Sequence, residues 1–134
     1  MTGITAVLLF AAWTLVLMFI YVNYRVLLTL TFKKPANSWS RVAADADPAF
    51  VQRAHHAHLN CVENLPVFAA IVLAAAALGK SPVVDAVAAW VLYLRLAQSI
   101  THLIGTTAAL VFIRANFFLL QALLYFYMIW GLLH

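Results

Sequence analysis

Arg53, His56, Asn60 and Glu63 follow one another at intervals of three, four and three residues. At about 100° per residue these positions fall within about 80° of one another on a helix, which makes one polar stripe. They belong to the run Arg53-Ala-His55-His56-Ala-His58-Leu-Asn60-Cys61-Val-Glu63-Asn64-Leu-Pro66, which leads straight into the apolar stretch Val67 to Leu78. Charged and amide side chains in or beside hydrocarbon are costly and mark function or internal pairing. The chemistry on offer is recognition of a small anionic ligand. A planar guanidinium matches a carboxylate with two parallel bonds, amides add direction, and Glu63 can hold an ammonium group or neutralise Arg53. Facing lipid the stripe would be prohibitive, so it must face other helices, another subunit or a water-filled pocket.

Two further segments carry counterparts. Arg95, Gln98, Ser99 and His102 share one helical face, and Arg114 precedes Asn116, Gln121 and Tyr125. Together the three stripes predict a cationic pocket. The competing structural reading is polar glue between helices, with Glu63 paired to Arg53 or Arg95 merely to fix packing. A metal site has weaker support. Only His55 and His58 share the three-residue spacing of a helical ligand pair, and no cysteine or carboxylate stands ready to complete the set, so none is predicted. The one cysteine, Cys61, permits no internal disulfide and reads as a packing residue. No phosphate loop, nucleophile elbow or dinucleotide fingerprint is present.

The elements that must position these groups are membrane helices. The 134 residues are 66% hydrophobic and only 9% charged, with a mean hydropathy of +0.98, whereas soluble domains carry roughly 25% charged residues. The alternation of a membrane barrel is missing. At about 20 residues per span, the chain predicts an all-α integral membrane four-helix bundle with helices over about residues 4–32, 48–79, 82–106 and 112–133. The leading apolar run lacks a basic flank and outlasts a signal-peptide core, so it reads as a retained first span. Asp47-Pro48 and Ser81-Pro82 look like helix starts, with Asp47 and Ser81 as N-caps and Asp85 in the first turn of the third helix. Pro66 should kink the second helix. Aromatics of the fourth helix, Phe117 to Trp130, read as lipid-facing or packing residues.

The net charge of +4 comes from bases near the ends of apolar runs, so it speaks for orientation and not for nucleic acid. Lys33, Lys34 and Arg41 in the only substantial loop, with Ser40 beside them, then Arg53 and Arg114, predict a cytoplasmic end, against Lys80 alone at the other. Both termini then lie away from the cytoplasm, in a multi-pass protein expected in a bacterial inner membrane.

The second-helix run, Arg53-x-x-His56-Ala-His58-Leu-Asn60-Cys-Val-Glu63-Asn64-Leu-Pro66, resembles the signature of the MAPEG family, the membrane-associated proteins in eicosanoid and glutathione metabolism. Chain length, four-helix layout and basic first loop fit the same family across residues 1–134 as a single transmembrane domain. The resemblance implies a homotrimer with glutathione as co-substrate, bound between subunits near the cytoplasmic face while a lipophilic substrate arrives from the bilayer. It implies Arg53, Asn60 and Glu63 as glutathione-binding residues, with His56, Asn64, Arg95, Gln98 and His102 beside them, and Arg114 as the catalytic residue that stabilises the thiolate. The sequence departs from the family pattern at His56, where the eicosanoid enzymes carry a second Arg. Gln98 and His102 occupy third-helix positions where those enzymes often have Tyr or His, and Lys33 or Lys34 replaces a first-loop Arg.

The implied activity is transfer of the glutathione thiol to a lipophilic electrophile, with reduction of lipid hydroperoxides as a companion reaction. The alternative on the same fold is a noncatalytic lipid-binding scaffold. A small cation exporter is a third option, and the bases crowding Glu63 argue against it.

Overall fold

The leading apolar run folds as one long helix, α1, over Gly3–Leu30, begun by Thr2, whose hydroxyl accepts the Thr5 N–H at 3.2 Å. The structure is a computed structural model that describes residues 1–39 and 47–134; Ser40 and Arg41 lie outside the described residues. After a 3₁₀ turn at Ala36–Ser38 the second helix, α2, runs over Ala49–Ala77 and stays helical through Pro66. It stops at Gly79, whose φ of 67° lets the Lys80 N–H reach back to the Ala75 carbonyl at 2.8 Å. The third span is broken. A short α3, Ser81–Asp85, precedes α4, Ala88–Ile104, and tightened three-residue hydrogen bonds cross the join. The last helix, α5, covers Ala108–Leu133. It starts four residues before the expected position because the Thr107 hydroxyl accepts the Leu110 N–H.

Among the described residues four stretches are long and apolar enough to cross a membrane, with α3 and α4 counting as one. The protein is an all-α integral membrane four-helix bundle. α1 packs mainly on α2, and α4 on α5, while α4 also touches α1 and α2. The core combines Phe10 and Leu17 of α1, Cys61 and Phe68 of α2, Val91 of α4 and Met128 of α5. Outward-facing Phe112, Phe126 and Trp130 leave most of α5 exposed, as a helix against lipid or a neighbour should be.

Two expected caps do other work. Asp47 does not cap α2. Its carboxylate takes Arg25 Nη2 at 2.8 Å and Trp39 Nε1 at 2.9 Å, because a buried acid is better satisfied by a guanidinium than by backbone N–H groups. Nor does Ser81 cap α3. Asp85 reaches across the bundle and accepts the Gly3 N–H at 2.6 Å, so it complements the positive end of α1 rather than its own helix. The break before α4 lets Val84 and Asp85 face the start of α1. With Lys80 Nζ donating to the Leu132 carbonyl at 2.9 Å, these bonds gather both termini at one end.

The Asp47 side chain is fully buried against Arg25. Asp47→Ala therefore strands a cation and should lower stability by about 3 kcal/mol, read from thermal unfolding in detergent. Close packing at the opposite end depends on glycine. A Cβ at Gly131 would fall 2.7 Å from Val83 Cγ1. Gly131→Ala is expected to cost about 1–3 kcal/mol, and Val83→Ala on top of it should recover most of the loss.

Candidate functional site

The end of the bundle opposite the termini collects the bases. Arg53, on the second turn of α2, donates its Nε to the Leu103 carbonyl at 2.9 Å. That carbonyl belongs to the last turn of α4, where acceptors lack intrahelical partners, so the arginine ties α2 to the end of α4. One turn deeper, the exposed His56 ring lies 6.2 Å from the ring of buried His102. Asn60 Nδ2 approaches His102 Nδ1 at 3.5 Å. Arg114, on the second turn of α5, is half-buried and makes no hydrogen bond or ion pair among the described residues. Its charge, with those of His56 and Arg53, acts on His102. Of the expected site residues, Arg53, His56, Asn60, His102 and Arg114 thus form one group drawn from three spans.

Arg95 and Gln98 lie deeper. Arg95 is fully buried and meets no carboxylate among the described residues. Its Nη2 donates to Gln121 Oε1 at 2.6 Å, its Nη1 to the Asn60 carbonyl at 3.4 Å, and its guanidinium rests 5.2 Å from the centre of the Phe10 ring. Arg95 Nε, Gln98 Oε1, Gln121 Nε2 and Tyr125 Oη are buried without partners. Among the described residues this cation in the apolar core has no counter-anion; amide oxygens and a ring face hold it, with the Tyr125 hydroxyl and the Cys61 thiol also acting on it. Through the Asn60 carbonyl it braces the helix that carries the shallower group.

Glu63 and Asn64 stand apart. Glu63 is exposed halfway along α2, with no hydrogen bond or ion pair among the described residues, so the pairing with Arg53 or Arg95 that the competing structural reading invoked does not occur within the chain. Asn64 spends its amide on its own helix, donating to the Asn60 carbonyl at 2.9 Å. Asn116 does likewise with the Phe112 carbonyl. His55 and His58 are committed to α1: both rings lie against Tyr21, and His58 Nδ1 sits 3.0 Å from the Thr14 carbonyl. Cys61 is buried 3.6 Å from Ser99 Oγ, a packing position.

The Leu103 carbonyl and the Phe10 ring could not be found from residue spacing. A backbone acceptor leaves no residue signal, and Phe10 is one apolar residue among many in α1.

The model of the MAPEG family matches residues 3–134, almost the whole chain. No curated protein and no solved structure matches it.

Proposed function

The chain belongs to the MAPEG family, and from that premise we propose that it is a membrane-bound transferase that joins the thiol of glutathione to lipophilic electrophiles. The observation that carries this reading is Arg114, half-buried and without a partner among the described residues, whose charge acts together with that of Arg53 on His102, which Asn60 approaches. An unpaired guanidinium at the membrane boundary calls for an anion, and a tripeptide with two carboxylates and a thiol supplies it. A free thiol is mostly protonated near neutral pH because its pKa is about 8.5, and a neighbouring cation favours the thiolate. The thiol proton passes to water and the sulfur lone pair forms the new C–S bond; the carbon–leaving-group bond breaks with its pair going to the leaving group, or, in an addition, the π pair moves to the neighbouring atom and takes a proton from water. Holding the two partners side by side supplies the proximity.

The same reading takes the assembly as a homotrimer. An ionised Glu63 facing lipid costs about 3 kcal/mol at mid-span; a neighbouring subunit or the ligand's ammonium removes that cost. The basic end, with Arg25, Lys33, Lys34, Arg53 and Arg114, faces the cytoplasm and the termini face away from it. A bacterial inner membrane fits this orientation.

The test is to purify the protein in detergent, titrate glutathione and follow conjugation of a general electrophile. Saturable binding with turnover above buffer supports the proposal. Lipid binding with neither thiol binding nor turnover replaces it with the noncatalytic scaffold.

A further inference from the structure

At the end that gathers the termini, far from Arg53 and Arg114, a cavity of about 390 Å³ opens between the start of α1 and α3, lined by Thr2, Ile4, Val72, Ser81, Val84 and Asp85 among others. A narrower apolar groove of about 150 Å³ begins at the same Ile4 and Val72 and continues along Val7, Leu8 and Leu73. The first space holds a carboxylate and hydroxyls; the second holds only hydrocarbon. With Ile4 and Val72 in both walls, the two spaces adjoin, a polar mouth at the bundle end beside an apolar groove along the α1–α2 seam.

Asp85 sets the charge of the mouth. Its Oδ1 takes the Gly3 N–H, while Oδ2 has no partner among the described residues. The side chain is partly exposed, and it is the one acidic side chain at this end among the described residues. Of the cations at this end, Lys80 is turned to the Leu132 carbonyl, and the Met1 ammonium makes no ion pair with Asp85. A half-satisfied carboxylate beside the unpartnered Ser81 hydroxyl, above an apolar groove, matches a molecule with a hydrogen-bonding cation at one end and a hydrocarbon chain at the other. A primary ammonium fits better than a quaternary one, because only N–H donors can bond Oδ2.

We propose that this cavity and the adjoining groove together bind a phospholipid with a primary-amine head group, its ammonium on Asp85, its phosphate by Ser81 and one acyl chain along Ile4, Leu8 and Leu73. The occupant comes from the leaflet at the termini, so the site is separate from the thiol site and does not depend on how that site is read. Bound there, the lipid wedges the starts of α1 and α3 together where Asp85 already joins them.

The test is native mass spectrometry of the intact protein equilibrated with equal amounts of ethanolamine, choline and glycerol phospholipids. Wild-type protein should retain the ethanolamine lipid about three- to five-fold over the glycerol lipid, the range of a partly exposed ion pair. Asp85→Asn keeps an oxygen for the Gly3 N–H but loses the charge; its ratio should fall to about one with thermal stability little changed. Ile4→Trp plugs the joint between mouth and groove and should release the lipid whatever its head group. Equal retention of all three lipids by wild-type protein overturns the proposal without recourse to any variant. So does an unchanged preference in Asp85→Asn, or full retention in Ile4→Trp.

Discussion

Arg114→Ala is expected to lower thiol conjugation at neutral pH by about 10²–10³-fold, the loss seen when a single charge-stabilising donor is removed. The fold should tolerate the change, because Arg114 makes no hydrogen bond or ion pair among the described residues of the chain and is only half-buried. The pH profile separates a catalytic role from a structural one. The wild-type cation favours thiolate below the free thiol's pKa, so its rate should already be near its plateau at neutral pH. In Arg114→Ala the rate should climb as pH rises through about 8.5, where the thiol ionises unaided. A variant uniformly slow at every pH points to misfolding; an unchanged rate removes Arg114 from the chemistry. Steady-state turnover against pH, with the oligomer checked by size, makes the measurement.

The second large effect belongs to stability. Arg95 is fully buried, holds Gln121 and reaches the Asn60 carbonyl. Arg95→Ala removes the centre of that cluster, opens a cavity and leaves Gln121 with neither amide atom bonded. A loss of about 3–5 kcal/mol is expected, enough to cost most of the folded protein. Replacing the pair together, Arg95→Met with Gln121→Leu, exchanges polar groups for apolar ones of similar size and should restore the melting temperature. Glutathione affinity should stay several-fold lower in this double variant, because Asn60 has lost its brace. Recovery of both stability and affinity would mark Arg95 as packing alone.

The architecture was readable because it follows from strong, repetitive signals. Long apolar runs fixed four spans, and the spacing of Arg95, Gln98, Ser99 and His102 named a face that is indeed buried in α4. What escaped was pairing across the bundle. Asp47 and Asp85 each stand near a proline as caps and first-turn acids do, yet both turn to partners distant in the chain, Arg25 and Gly3. Helical spacing cannot reveal such partners. The stripe on α2 was legible as a stripe, but its single period concealed two fates. Arg53 and Asn60 lie on the edge that meets α4, whereas Glu63 and His56 lie on the open side. A face of about 80° is wide enough to straddle the boundary between a helix interface and the outside, and only packing decides where that boundary falls. The break before α4 was invisible for a related reason: no Gly or Pro stands at Ala86 or Val87 to announce the tightened turn there.

The central claim is that cationic side chains from three spans gather around a guest molecule and not only around one another. A structure of the assembled protein with glutathione added tests it most directly. The account predicts density for the tripeptide against Arg53, Asn60 and Arg114, its sulfur toward Arg114 and its ammonium toward a Glu63 that is bare in the isolated protomer. Side chains of neighbouring subunits closed on one another, with Glu63 paired to protein and no volume left for a ligand, would contradict it.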